Sequence, residues 1–249
     1  MRAGGAWYAS GGSKLREFYT ILHLPYTSMV LSYILIGAGI SPTIYPDRVA
    51  LTLLAYFLGL GLSAHALNEL HATHWVEVLG RRELTVLFAL PLIGAVVIGM
   101  YGMIELHMIS GTFVPSLALT VFMFLEVFFL IAYNIEAFGG AFHSDLAFAL
   151  SWAAIPTLVS YYVNSLVISA GAVLVALSMA ATAGIEINLS RWCKEFRRNS
   201  LLTEMQFADG SRQTITTVQL LAKPERALKL IVVVVDLAAL GLIAYRLLS

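Results

Sequence analysis

The chain has 249 residues, of which 59% are hydrophobic and only 12% are charged. Soluble domains carry about 25% charged residues, so this composition excludes an ordinary soluble protein and indicates a chain solvated by lipid. The 15 Lys and Arg residues balance the 15 Asp and Glu residues, and zero net charge gives no reason to expect a nucleic-acid partner.

Seven hydrophobic segments follow one another along the chain. Apolar stretches of about 20 residues predict helices that cross the bilayer. The predicted spans are 22–40, 48–68, 84–104, 113–133, 146–163, 166–187 and 228–247. We therefore predict an all-α fold, a polytopic membrane helix bundle of about seven transmembrane helices that forms a single transmembrane domain over 1–249.

The basic residues predict the orientation of the bundle. With a cytoplasmic N-terminus, only Arg48 and Arg246 of the 15 Lys and Arg residues lie on the outer side. Cytoplasmic loops are enriched in Lys and Arg, so this distribution favours that orientation. We expect an integral, multi-pass protein of the cell membrane.

One long polar connection, 188–227, is expected on the cytoplasmic side. We predict an amphipathic helix over Leu189 to Gln206, a turn at 209–211 and a second short helix broken near Pro224. Both helices are expected to lie at the membrane interface.

Ionisable residues inside spans are functional candidates, because burying a charge in lipid is costly. Glu126 lies seven residues before Tyr133, on the same helix face, and is predicted to face the bundle interior. Asp236 is the second such residue, and the alternative for both is a neutral or hydrogen-bonded packing role. The small-residue pattern Gly37-x-Gly39 predicts close helix packing.

Three polar clusters fall at the inner ends of predicted spans, which predicts a shared polar cavity open to the cytoplasm. Their members are His65, Asn68, Glu69, His71 and His74; Tyr133, Asn134, Glu136, His143 and Asp145; and Asn188, Arg191, Lys194 and Glu195. Within the first cluster, His65 and Glu69 are four residues apart and could hold one metal ion. The remaining histidines would need ligands from elsewhere.

Two of these clusters resemble the motifs of the UbiA-type intramembrane prenyltransferases, which have nine spans. Asn68-Glu69 matches the opening of the family's first motif, N-D-x-x-D-x-x-x-D, and Asn188 to Glu195 occupies the place of the second. The stretches from Asp209 to Arg212 and from Pro224 to Leu228 resemble the loop that follows in the dihydroxynaphthoate-prenylating branch.

The resemblance implies transfer of a prenyl group from a prenyl diphosphate to a small acceptor. It implies catalytic roles for Asn68, Glu69, Asn188 and Glu195. Candidates for substrate binding are Arg191, Lys194, Arg212, Tyr133, Asn134 and Asp145. Glu69 and Glu195 would hold Mg²⁺, which prefers carboxylate and phosphate oxygens.

The chain departs from the family pattern at the acidic positions. Ala72 and Val76 stand at the two later Asp positions of the first motif, and Arg191 stands at the first Asp position of the second. Either the metal site is rebuilt with His65, His71, His74 and Glu136, or the diphosphate is no longer held through Mg²⁺.

Three functions therefore stay open. The first is a UbiA-like prenyltransferase with a reduced metal site. The second is a non-catalytic UbiA-like protein that binds a prenyl lipid or quinone, or that scaffolds partners. The third is a membrane metalloenzyme built on the histidines, which needs at least three converging ligands.

Overall fold

The computed structural model describes residues 8, 12–73, 76–199 and 202–248. Its helices are α1 (Lys14–Ile21), α2 (Leu24–Gly39), α3 (Pro46–Tyr56), α4 (His65–Asn68), α5 (Arg81–Ser110), α6 (Val114–Asn134), α7 (Ala137–Gly140), α8 (Asp145–Ala149), α9 (Ile155–Ser165), α10 (Ala170–Asn199) and α11 (Thr217–Leu248). Wider π-helical turns cover Phe57–Ala64, Glu69–Thr73 and Leu150–Ala154. Two strands, β1 (Leu202–Gln206) and β2 (Arg212–Thr216), form an antiparallel pair.

Most of the helical stretches are long and apolar enough to cross a membrane. Among the described residues, six stretches meet this condition, namely Pro46–His71, Arg81–Ser110, Val114–Asn134, Asp145–Ser165, Ala170–Arg198 and Thr217–Leu248. A seventh is obtained if α1 and α2, which meet at a bend of 42°, are counted as one broken span. Each stretch overlaps a predicted span, which confirms a helical bundle built from six or seven long apolar stretches among the described residues.

The bend between α1 and α2 occurs at His23. This residue has φ 44° and ψ 48°, a left-handed conformation that non-glycine residues seldom adopt. Pro25 follows in the first turn of α2, where its missing N–H would have no partner within the helix. The bend directs the His23 side chain into the bundle, where it is 7% exposed.

Helix α2 is the centre of the bundle and packs against α9 and α11. A Cβ atom on Gly37 would lie 2.2 Å from the carbonyl oxygen of Thr157 in α9, and one on Gly39 would lie 2.7 Å from the Leu242 side chain in α11. The absence of a side chain therefore lets these backbones approach each other, which confirms the packing role predicted for Gly37-x-Gly39.

The connection 188–227 differs from the prediction of two interfacial helices. Helix α10 continues to Asn199, and residues 202–206 are strand rather than the end of an amphipathic helix. The three consecutive β-branched residues Thr214, Ile215 and Thr216 suit a pleated strand paired to another, whereas the prediction relied on helical periodicity alone. Helix α11 begins at Thr217 and continues through Pro224 instead of breaking there.

The predicted turn at 209–211 is confirmed as the tip of the β1–β2 hairpin. Gly210 has φ 83°, which a residue without a Cβ adopts readily. Asp209 accepts hydrogen bonds from the hydroxyl and the backbone N–H of Ser211. These bonds lower the pKa of Asp209, so the exposed tip carries a negative charge at neutral pH.

Candidate functional site

One polar cluster lies inside the bundle, where the start of α2 meets α4 and α10. We call it the interior cluster, and its members are His23, Tyr26, His65, Glu186, Ser190 and Lys194. The rings of His23 and His65 stack with their centroids 4.2 Å apart, and the Tyr26 hydroxyl donates to Oγ of Ser190. Glu186 and Lys194 lie one turn before and one turn after Ser190 on the same face of α10. The cluster therefore connects three separate helices.

The spacing of residues along α10 explains how the interior cluster forms. Glu186, Ser190 and Lys194 follow at intervals of four residues and share one face of the helix. Glu186 is 3% exposed and Ser190 is 4% exposed, while Lys194 is partly buried. The spacing therefore places a carboxyl group, a hydroxyl group and an amino group in one row on the inward side of this helix.

One atom of the interior cluster is left unsatisfied. Nε2 of His65 is buried and has no hydrogen-bond partner among the residues that the structure describes. A buried polar atom without a partner costs about 1–3 kcal/mol. A polar ligand that entered the cluster could therefore gain a hydrogen bond at this nitrogen.

A second polar cluster lies between α6, α8 and α10. We call it the lateral cluster, and its members are Tyr133, His143, Asp145, Asn188 and Arg191. Nη1 of Arg191 lies 2.7 Å from Oδ1 of Asp145, and Nδ2 of Asn188 donates to Oδ2 of the same carboxylate at 3.1 Å. Nη2 of Arg191 also donates to the Tyr133 hydroxyl at 3.3 Å, and the His143 ring stacks on Tyr133.

The lateral cluster brings together four of the predicted site residues, Tyr133, Asp145, Asn188 and Arg191. They come from two of the three polar clusters in the sequence. The predicted proximity of these helix ends is thus observed for the second and third clusters. Because Asp145 pairs with Arg191, the guanidinium already has an anionic partner in this structure.

The first predicted motif lies at the end of α4 and in the turn after it. Glu69 is 4% exposed, and its Oε1 accepts the backbone N–H of Val76 at 2.8 Å. Asn68 is partly buried. The carboxylate of Glu69 therefore holds the start of the segment at Val76 by a hydrogen bond. His65 lies one helical turn before this motif and stacks on His23, so it connects the motif to the interior cluster.

Other predicted site residues lie apart from both clusters. Glu136, Glu195 and His71 are exposed. Arg212 lies in β2, where its Nη1 is 3.7 Å from Oε1 of Glu204. Asn134 donates to the Leu130 carbonyl within its own helix. The predicted ligand His74 lies outside the described residues.

The structure does not bring the predicted metal ligands together among the residues that it describes. Across 8, 12–73, 76–199 and 202–248, no three His, Cys, Asp or Glu side chains come together as a metal-binding group. His65 is buried in the interior cluster, whereas His71 and Glu136 face outward. The binding of Mg²⁺ or of another metal stays a prediction.

Sequence reasoning missed several residues of the interior cluster. Glu186 lies inside a predicted span and could have been found by the rule that selected Glu126. Its spacing of four residues from Ser190 and eight residues from Lys194 was a further signal. His23 and Tyr26 had no such signal, because the bend that turns His23 inward is not visible in hydropathy.

The two acids predicted inside spans both make interhelical hydrogen bonds. Oε1 of Glu126 accepts from the Tyr56 hydroxyl at 2.8 Å and faces a cavity within the bundle, as predicted. Oδ1 of Asp236 accepts from the Ser32 hydroxyl at 2.8 Å. Asp236 thus has the hydrogen-bonded packing role that was the alternative for it.

Comparisons of the chain with protein-family models, with curated proteins and with solved structures find no match. The likeness to the UbiA-type prenyltransferases therefore rests on the residues quoted from the sequence.

Proposed function

We propose that this chain is a UbiA-like membrane prenyltransferase that binds a prenyl diphosphate among its helices. The observation that supports this most is a series of side-chain contacts between the two segments: the His65 ring stacks on His23, the His23 ring lies edge-on to Tyr26, and the Tyr26 hydroxyl donates to Ser190 on α10. His65 lies one turn before Asn68-Glu69, and Ser190 lies within the segment from Asn188 to Glu195. Residues from both motif-like segments thus contribute to one polar cluster, as a diphosphate site between them requires.

The charges around this cluster suit a phosphorylated ligand. The Lys194 ammonium and the Arg191 guanidinium can both donate hydrogen bonds to phosphate oxygens. Nε2 of His65 adds a buried polar atom without a partner among the described residues. The apolar helix surfaces would surround the prenyl chain, which enters from the lipid.

Transfer would proceed by breaking the bond between the allylic carbon and the diphosphate oxygen. The diphosphate leaves with the bonding electrons, and the allylic cation is attacked by the acceptor, which then loses a proton. Lys194 and Arg191 would stabilise the departing negative charge. The buried surroundings would keep water away from the cation.

Mg²⁺ is the cofactor that the family likeness implies. Mg²⁺ sites commonly use one or two carboxylates together with substrate phosphates, so Glu69 and Glu195 are the residues that would hold it. When bound, Mg²⁺ would neutralise part of the diphosphate charge. Because Glu195 is exposed and Glu69 already accepts a backbone N–H, this donor set is weaker than the family pattern.

The proposed orientation places the N-terminus and the β1–β2 hairpin in the cytoplasm, in a protein of the cell membrane. The distribution of Lys and Arg supports this orientation. A prenyl diphosphate would then reach the interior cluster from the cytoplasmic leaflet.

A second candidate is a UbiA-like protein that binds the prenyl lipid without transferring it. Two observations favour it, namely the pairing of Arg191 with Asp145 and the lack of a three-ligand metal group among the described residues. Both candidates predict binding of a prenyl diphosphate, and they differ in the need for Mg²⁺ and in the release of diphosphate.

Binding of tritiated geranylgeranyl diphosphate to the detergent-purified full chain tests the shared part of the proposal. We expect Lys194→Met to weaken binding by about tenfold, which corresponds to the loss of one charge-assisted hydrogen bond. Lys223→Met is the matched control, because it removes the same charge from an exposed position on α11. Equal binding by both variants, or no binding by the wild type, would overturn the proposal.

Mg²⁺ dependence and diphosphate release separate the two candidates. If the chain is a transferase, binding of the prenyl diphosphate needs Mg²⁺ and becomes weaker in Glu69→Gln or Glu195→Gln. Diphosphate is then released when 1,4-dihydroxy-2-naphthoate is added as the probe acceptor. Binding without Mg²⁺, weakened by Arg191→Ala and followed by no release, would favour the non-catalytic candidate.

A further inference from the structure

A cavity of about 130 Å³ lies between α3, α5 and α6, in a different part of the bundle from the interior cluster. Its walls are mainly apolar, with contributions from Leu60, Leu92, Leu106 and Phe122, and it is open on one side. The lining extends along α3 from Arg48 to Tyr56 and beyond. Since a helix rises about 1.5 Å per residue, these two residues are separated by roughly 12 Å along the helix axis.

A carboxylate with one buried, unsatisfied oxygen lines this cavity. Oε1 of Glu126 accepts from the Tyr56 hydroxyl at 2.8 Å. Oε2 is buried, and the described part of the chain offers it no hydrogen-bond partner. A buried polar atom in an otherwise apolar pocket is the kind of group that fixes the orientation of a small ligand.

The other charged groups of the cavity are already paired. Nε of Arg48 donates to Oε1 of Glu105 at 2.9 Å, and its Nη1 donates to the Val163 carbonyl at 2.8 Å. The Arg48 guanidinium also lies over the Tyr45 ring, 4.2 Å from its centroid. An ionic ligand would thus find no unpaired opposite charge at this end, and the lining suits a neutral molecule.

We propose that this cavity binds a neutral, lipid-soluble molecule with one hydroxyl group, a phenol or an alcohol, that hydrogen-bonds to Oε2 of Glu126. A hydroxyl can both donate and accept a hydrogen bond, so it satisfies this oxygen whether the carboxyl group is ionised or protonated. The apolar part of the ligand would contact the leucine and phenylalanine walls.

The size of the cavity supports this class of ligand. An apolar protein cavity of about 150 Å³ is known to accommodate benzene. The space beside Glu126, about 130 Å³, is of similar size, and its open side gives further room to a ring or a short branched chain. A longer tail would extend through the open side. The site is separate from the interior cluster, and its occupancy does not depend on the prenyltransferase proposal.

Binding of tritiated 4-hexylphenol and hexylbenzene to the detergent-purified full chain tests the proposal. The two probes differ only in the hydroxyl group. We expect 4-hexylphenol to bind at least tenfold more tightly to the wild type. The double variant Glu126→Leu with Tyr56→Phe removes both polar groups together, so it leaves no unpaired partner that could prevent folding. We expect this variant to bind both probes with similar affinity.

A variant that fills the cavity distinguishes specific binding from partition into detergent. Ala55 lines the cavity next to Tyr56, and Ala55→Phe should abolish the saturable binding of both probes. A tenfold preference for the phenol that survives in the double variant would place the hydroxyl elsewhere and overturn the proposal. Saturable binding unaffected by Ala55→Phe, or no saturable binding to the wild type, would also overturn it.

Discussion

Replacing Gly37 with alanine is expected to lower the free energy of unfolding by about 3 kcal/mol or more, or to prevent folding. The added Cβ would lie 2.2 Å from the Thr157 carbonyl oxygen and 3.1 Å from Cβ of Ser160. The first of these atoms belongs to the backbone of α9, so no side-chain rotation can relieve the overlap. The two helices would have to separate, and both are buried at the centre of the bundle.

The matched control for this change is Gly241→Ala in α11. A Cβ at Gly241 would meet no atom within 4 Å, and alanine favours a helix over glycine by about 1 kcal/mol. Thermal unfolding in detergent, followed by circular dichroism, should give a much lower Tm for Gly37→Ala and an unchanged or slightly higher Tm for Gly241→Ala. Equal Tm values would contradict the close approach of α2 and α9.

Glu17→Ala is expected to have the second largest effect on stability, a loss of about 2–4 kcal/mol. The Glu17 side chain is 1% exposed. Its Oε1 accepts the backbone N–H of Glu77, and its Oε2 accepts those of Val78 and Leu79, each at 2.8 Å. Removing the carboxylate leaves three backbone donors without this acceptor, and only water could replace it.

Hydrogen exchange can localise the effect of Glu17→Ala. The amides of residues 77–79 should exchange at least tenfold faster in the variant, because their acceptor is lost. Glu83→Ala is the control: Glu83 is partly exposed, accepts one backbone N–H from Gly80 and pairs with Lys14. Its loss should change stability far less than Glu17→Ala does, because the charges of an exposed pair are screened by water. Unchanged exchange at 77–79 in Glu17→Ala would show that the carboxylate does not hold this segment.

The approximate positions of the long apolar helices could be predicted, because a helix that crosses a bilayer needs about 20 apolar residues and such stretches are visible in the sequence. The hairpin could not, since short strands such as 202–206 and 212–216 are stabilised by pairing with each other rather than by a strong local signal. Pro224 was expected to break a helix. It lies instead in the third turn of α11, where it removes one hydrogen bond, the one its position would donate to the Leu220 carbonyl, without ending the helix.

The lateral cluster was more predictable than the interior cluster. Asp145, Asn188 and Arg191 stand at helix ends that a common orientation places on one side of the membrane. Glu17 and His23, in contrast, meet partners from distant parts of the chain, such as the amides of 77–79 and the ring of His65. Their roles depend on the bend between α1 and α2, which no residue pattern in the sequence specifies uniquely.

The β1–β2 hairpin offers an exposed site at which a peptide can be inserted, which the packed helices of the bundle do not. Its tip at 209–211 is exposed, and the strands on both sides hold its two ends close together. A short epitope or a protease recognition sequence inserted at this tip would therefore extend into the surrounding water without separating α10 from α11. The accessibility of this insertion to antibody or protease can be compared between intact and permeabilised cells. The comparison would show on which side of the membrane the hairpin lies, and therefore how the whole bundle is oriented.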